Sequence, residues 1–159
     1  MLFLCLGNTC RSPAAQYLAK GLAKKKYNDE LKDVEFVSAG FINVFGYAQT
    51  RTVRFIKSKG IDISDFRPQL VNSNLLKTND LILTMEKKQV KEILEDYNNI
   101  KNLKEKVFTL KGFAGETKDV DIPDPYMTTT EYYRKTLEEI EKFVELSLKK
   151  IIELNKYYT

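Results

Sequence analysis

Apolar residues fall along this chain in two rhythms. Short, mostly uninterrupted runs occur at residues 2–6, 34–37, 80–84 and 107–109. Runs of that length and continuity read as strands buried on both faces. Between them, apolar positions recur every three or four residues, the spacing of an amphipathic helix. The first helix is expected to start at Ser12, a good N-cap, with Pro13 in its first turn, and to reach about residue 26. Ala15, Leu18 and Leu22 form its apolar face. The second strand runs on into Ser38-Ala39-Gly40. Further helices are expected at about residues 49–59, stopped by Gly60, and at 86–96. Residues 61–76 read as turns with a short helix, and a loop passes through Gly112, Gly115 and Pro123. The last helix begins near Thr129 or Thr130 and carries a core stripe of Tyr133, Leu137, Ile140, Val144, Leu148 and Ile151.

Alternating strands and helices predict an α/β fold, a parallel sheet with helices on both faces. Ligands of such sheets bind beyond the carboxyl ends of the strands. The residues that follow the first apolar run hold that position. No repeat, low-complexity tract or linker interrupts the pattern, so residues 1–159 are expected to form a single domain.

Composition narrows the function classes. The chain is 43% hydrophobic and 30% charged, ordinary for a soluble globular protein. Its net charge of +4 favours acidic or phosphorylated partners without requiring nucleic acid. No stretch approaches the roughly 20 apolar residues of a membrane span. The N-terminus lacks a basic lead, an apolar core and a cleavage site, so no signal peptide is expected. Both cysteines fall in one loop, too close together to staple a small secreted domain. A cytoplasmic protein with working thiols is expected. Histidine is absent, which excludes Ser-His-Asp and Cys-His catalysis and any His-ligated metal site. Two cysteines without histidine cannot fill a tetrahedral zinc site, so no metal is expected.

The loop after the first strand reads Cys5-Leu6-Gly7-Asn8-Thr9-Cys10-Arg11-Ser12. A free thiol, with a pKa of about 8.5, is mostly protonated at neutral pH. Three features of this loop favour an anion. The first helix points its N-terminus at Cys5. Arg11 carries a charge that cannot be removed at ordinary pH. The backbone N–H groups of residues 6–11 can turn inward as an anion nest. Gly7 lets the chain curl, Asn8 tolerates left-handed geometry, and Ser12 can donate its hydroxyl to the sulfur. The same donors suit a phosphoryl group, two oxygens of which fit the planar fork of Arg11. Sulfur then stands in line with phosphorus, and a thiophosphate intermediate can form.

The leaving group still needs a proton, and without histidine a carboxylic acid is the expected donor. Asp124, held between Pro123 and Pro125, is the first candidate and Asp121 the fallback. Cys10 is open to two readings: a small buried residue, or a partner that shields Cys5 by a reversible disulfide. Tyr126 is expected to form one aromatic wall of the pocket, with Phe41, Phe45 or Tyr47 as the other. Lys111, Lys118 and Arg51 read by default as solvated surface charge, with attraction of acidic peptides as the alternative.

These residues resemble the low molecular weight protein tyrosine phosphatase family. The loop from Cys5 to Ser12, Ser38-Ala39-Gly40, the DLILTME run at residues 80–86 and Asp124-Pro125-Tyr126 follow in family order over essentially the whole chain. The resemblance implies a three-layer flavodoxin-like fold with a four-stranded parallel sheet and no cofactor. It implies Cys5 as nucleophile, Arg11 as phosphate binder and Asp124 as general acid. It also implies Leu6, Gly7, Asn8, Thr9, Cys10, Ser12, Phe45 and Tyr126 around the substrate, with Ser38 bracing the loop. Phosphorylated proteins are the implied partners and inorganic phosphate the product and inhibitor, with no nucleic acid or membrane; a monomer is expected.

Three departures stand out. Phe66 occupies the region where the family usually has a histidine supporting the loop asparagine. Met127 replaces a frequent aromatic after Asp-Pro-Tyr. Thr9 stands where tyrosine phosphatases usually have isoleucine, and there the chain, like its Val107-Phe108-Thr109-Leu110 segment, resembles the bacterial protein arginine phosphatase branch. Asp121-Ile122-Pro123-Asp124-Pro125-Tyr126 is closer to tyrosine-specific bacterial members. Phosphotyrosine hydrolysis is the leading expectation and phosphoarginine hydrolysis the alternative. Arsenate reduction is disfavoured because no cysteine follows Cys10. A non-catalytic phosphoprotein binder would have no use for a leaving-group acid.

Overall fold

The computed structural model describes residues 1–158. Its elements run β1 (Leu2–Cys5), α1 (Arg11–Lys26), α2 (Asn28–Leu31), β2 (Val37–Gly40), α3 (Thr50–Ser58), α4 (Ser73–Thr78), β3 (Ile82–Thr84), α5 (Lys87–Asp96), β4 (Val107–Thr109), α6 (Leu110–Phe113) and α7 (Thr130–Tyr158). The four strands form one parallel sheet in the order β2-β1-β3-β4.

The side-chain period of two along each strand builds both cores. Phe3 and Cys5 of β1 and Leu83 of β3 face α1, α3 and α7. Leu2, Leu4 and Ile82 face the other way, onto Leu76 of α4 and Ile93 of α5. The continuous apolar runs follow from burial on both sides, as expected. The predicted stripe of α7 is buried from Tyr133 to Leu148, with Ile152 continuing it more deeply than Ile151.

Boundaries moved where pairing overrode local pattern. β2 spans Val37–Gly40 instead of beginning at residue 34, because β1 offers partners only from Leu2, which pairs with Val37. Leu6 leaves β1 and is 42% exposed in the loop. Helix α1 begins at Arg11 with Cys10 at its N-cap and no side-chain cap. Ser12 is therefore inside the first turn, and its hydroxyl is free to serve the loop. Pro13 costs no hydrogen bond there, since first-turn N–H groups have no intrahelical partner. The short α2 and α6 were not foreseen from the sequence.

Candidate active site

Three stretches meet at the carboxyl end of β1, where strand order turns back and a crevice opens. The loop after Cys5 supplies the floor. It crosses Gly40 so closely that a Cβ there would lie 2.8 Å from the Asn8 nitrogen and 2.8 Å from the Gly7 carbonyl carbon. Only glycine permits this contact, which explains the small-residue end of β2. Asn8 sits in the left-handed region with φ 51°.

The bracing of the loop has a definite hydrogen-bond direction. Asn8 Oδ1 accepts from the Gln69 N–H at 2.9 Å, which fixes the orientation of its amide. Asn8 Nδ2 then donates to Ser12 Oγ and Ser38 Oγ, each at 2.9 Å. Each hydroxyl sends its own proton onward. Ser38 donates to Gln16 Oε1 at 2.6 Å. Ser12 Oγ lies 2.9 Å from Cys5 Sγ, and the Ser12 N–H points at the same sulfur from 3.4 Å. The Ser12 N–H is thus aimed at the sulfur, and the Ser12 hydroxyl lies between the sulfur and the Ala39 carbonyl, 3.5 Å away. Asn8 and Ser12 are buried beneath the pocket and their side chains do not line it.

Arg11 is 1% exposed. Its Nη1 donates to Glu86 Oε1 and to the Ile122 carbonyl, both at 2.7 Å. Nη2 lies 3.4 Å from Asp124 Oδ2, and Nε has no hydrogen-bond partner among the described residues. The Nε–Nη2 edge is therefore the edge available to two oxygens of a tetrahedral anion. Burial opposes the charge on Arg11, but Cys5, Glu86 and Asp124 outweigh it and raise its pKa above the ordinary value.

Glu86 was not singled out from the sequence for this site. Its signal was its place, directly after β3 and before α5, on the same carboxyl edge. Burial raises its pKa, yet the hydrogen bond and charge of Arg11, helped by Lys88, win and hold it below the ordinary value. A depressed carboxyl stabilises the fold above its unfolded value and loses that contribution as pH falls through the folded one. Glu86→Gln is expected to lower stability by about 2 kcal/mol at neutral pH. The difference from wild type should shrink as pH drops below about 4, the ordinary range. Urea denaturation at pH 7 and pH 3 checks both; a gap that widens in acid overturns the assignment.

The loop of residues 121–126 closes the third side. The Ile122 N–H donates to the Met85 carbonyl at 2.8 Å. Asp124 Oδ1 accepts from the Tyr126 N–H at 3.1 Å, and its side chain is 39% exposed. Asp121, the fallback acid, accepts from the Lys87 N–H at 2.7 Å and so caps α5. It does not line the pocket. Lys111 is not solvated surface charge: it is 4% exposed and donates to Asp119 and Glu139, both at 2.9 Å. Packing of α6 against α7 carries that side chain inward, where sequence position alone cannot place it.

A cavity of about 230 Å³ joins these stretches. Cys5, Leu6, Gly7, Thr9, Cys10 and Arg11 line it, as do Phe45, Asp124 and Tyr126. Ile42, Val44 and Gln49 also line it and were missed; nothing in an uncharged loop marks its inward side. Phe41 packs into the α4–α5 core, and Tyr47 stacks outside on Phe45 at 5.8 Å. Phe45 and Tyr126 have ring centroids 6.2 Å apart, inclined at 56°. Rings that close touch each other, so they form one aromatic ledge rather than two walls of an open slot. Burial pushes Cys10 up to about 12, with Tyr133 and Thr52 hydrogen bonds opposing and Cys5 adding. Cys10 is a neutral thiol at physiological pH, and both cysteines are free.

The family profile described as "Low molecular weight phosphotyrosine protein phosphatase" matches residues 1–156. The chain belongs to that family. It is 34% identical over 146 residues to the probable low molecular weight protein-tyrosine-phosphatase EpsP of Ralstonia nicotianae, covering 91% of this chain and 90% of that one. It is also 34% identical over 153 residues to a protein-arginine-phosphatase of Geobacillus stearothermophilus, covering 95% of each. The solved structure of the YwlE arginine phosphatase from Geobacillus stearothermophilus superposes with a TM-score of 0.84 at 31% identity, covering 99% of this chain and 96% of that chain.

Against the low molecular weight phosphatase pattern, Phe66 departs as expected from the sequence. It is buried and meets Tyr17 edge-on at 6.0 Å. Asn8 instead takes its support from Gln69, Ser12 and Ser38. The flavodoxin-like arrangement of this phosphatase is the three-layer α/β fold the sequence predicted. Among the described residues no helix is long and apolar enough to cross a membrane.

Proposed function

We propose that the protein hydrolyses phosphotyrosine in proteins through a phosphorylated Cys5. The observation that carries this reading is the convergence of Cys5, Arg11 and Asp124 on one cavity with an aromatic ledge at its mouth. The loop amides and the Nε–Nη2 edge of Arg11 hold the phosphoryl oxygens. Cys5 Sγ attacks phosphorus, the P–O bond to the tyrosine breaks, and Asp124 gives its proton to the departing oxygen. Water then attacks the thiophosphate while the Asp124 carboxylate takes a proton from it. Phosphate leaves and the sulfur is regenerated. A stacked phenol ring gains contact with Phe45 or Tyr126.

Phosphoarginine is the second reading, and Thr9 favours it. Thr9 is 6% exposed on the pocket wall, a polar side chain where a phenol ring gains nothing from a hydroxyl. Steady-state kinetics on matched phosphotyrosine and phosphoarginine peptides test the choice. Phosphotyrosine should give the larger kcat/KM. Thr9→Ile should widen that ratio by about tenfold, the scale of one small pocket contact. A ratio favouring phosphoarginine reverses the assignment, and a ratio untouched by Thr9→Ile removes Thr9 from it.

A further inference from the structure

A second hollow, of about 270 Å³, opens between α3 and the start of α7 and shares no lining residue with the Cys5 cavity. Each helix lines it at the spacing i, i+3, i+4, i+7, counted from Arg51 on α3 and from Thr130 on α7. That spacing is one face of a helix, so the two faces meet across the hollow. They bring together apolar Phe55, Tyr133 and Leu137 with Arg51, Arg54 and Arg134. No carboxylate lines the space. The reaction proposed above uses none of these side chains.

The positive charge here is largely unanswered. Arg51 Nη1 donates to the Thr128 carbonyl at 2.9 Å, and the guanidinium lies 4.5 Å from the centre of the Tyr133 ring. Both partners are neutral, so they hold Arg51 in place without cancelling its charge. Arg54 is exposed and has no hydrogen-bond or ion-pair partner among the described residues. Arg134 pairs with Glu138 one turn along α7, an exposed pair that water screens. The apolar side is preformed. Tyr133 and Thr52 are both buried, and the Tyr133 hydroxyl lies 2.7 Å from Thr52 Oγ1, which fixes the ring before any ligand arrives. An inorganic anion would leave the apolar wall wet, and a neutral apolar molecule would leave the arginines unpaired.

We propose that the hollow between α3 and α7 is a binding site for a small organic anion. Its aromatic or alkyl body rests on Phe55, Tyr133 and Leu137, and its carboxylate, sulfonate or phosphate group meets Arg54 and Arg134 at the mouth. This site stands apart from the phosphatase reading, and failure of either leaves the other intact.

The test is a fluorescence titration of the full chain with anilinonaphthalenesulfonate. This probe is expected to bind about tenfold more tightly than phenylnaphthylamine, which has the same rings without the sulfonate. Arg54→Gln combined with Arg134→Gln should weaken the sulfonate probe about tenfold and leave the neutral one unchanged. Both arginines are exposed, so an unchanged melting midpoint of the variant reports intact folding. Lys20→Gln combined with Lys24→Gln removes the same charge from exposed positions on α1 and should alter neither affinity. Equal affinity for the two probes overturns the proposal, as does sulfonate binding that survives loss of the arginines or weakens equally with loss of the lysines. So does displacement of the sulfonate probe by orthovanadate, which would place it in the Cys5 cavity.

Discussion

Serine in place of Cys5 is expected to lower kcat for phosphotyrosine by at least about 10⁴-fold, as loss of a covalent nucleophile does elsewhere. The reason lies in what surrounds the sulfur. Ser12 Oγ at 2.9 Å and the Ser12 N–H at 3.4 Å supply hydrogen-bond donors, which help an anion but remove no proton. A serine hydroxyl at this position needs a base, and the chain has no histidine to act as one. Phosphate binding should survive, because the loop amides, Arg11 and Glu86 are untouched. Calorimetric titration of the Cys5→Ser variant with inorganic phosphate should give a dissociation constant within a few-fold of wild type. Turnover within tenfold of wild type would rule out the covalent path. Cys10→Ser is the informative control: a neutral thiol in contact with Thr52 and Tyr133 has no place in the attack, so its loss should leave a phosphorylated Cys5 detectable in quenched reactions.

The expectations that held were those encoded by local pattern. Continuous apolar runs gave the sheet, and the three-to-four residue spacing gave α1, α3, α5 and α7, because burial on one or two faces writes itself into nearby positions. The meeting of Cys5, Arg11 and Asp124 at one cavity was legible because each belongs to a short motif. Glu86, Gln69 and Gln16 were not. Their roles depend on which segments the fold brings beside the loop, and isolated Glu or Gln residues carry no such information. Ser12 shows the same limit from the other side. As a residue before proline it reads as a helix cap, yet it lies one position inside α1 and spends its hydroxyl on Cys5 and Asn8. Phe45 and Tyr126 both line the cavity, but the contact between the two rings is a tertiary fact. It changes the expected substrate pose from insertion between walls to stacking on a ledge.

The second large effect is expected from Asp124→Asn, which keeps the shape of the side chain and removes its proton. The oxygen that accepts from the Tyr126 N–H at 3.1 Å remains, so the loop should hold its conformation. Pro123 and Pro125 restrict the backbone on both sides in either protein. What changes is the supply of a proton to the departing oxygen. Turnover of phosphotyrosine should fall by about 10²- to 10⁴-fold, the range for a positioned general acid. Release of nitrophenolate from p-nitrophenyl phosphate should suffer far less in its first step, because that leaving group is stable as an anion. The second step still lacks its base, so the variant should release a rapid burst of nitrophenolate and then slow. Stopped-flow traces at 405 nm, about the wavelength at which that anion is followed, would record a burst equal to the enzyme concentration. The ordering of substrates decides the point: an equal loss on phosphotyrosine and p-nitrophenyl phosphate, with no burst, would mean that Asp124 acts only through its 3.4 Å contact with Arg11 Nη2. Asp121→Asn should leave this leaving-group dependence as in wild type, since its carboxylate is already committed to the Lys87 N–H at the start of α5.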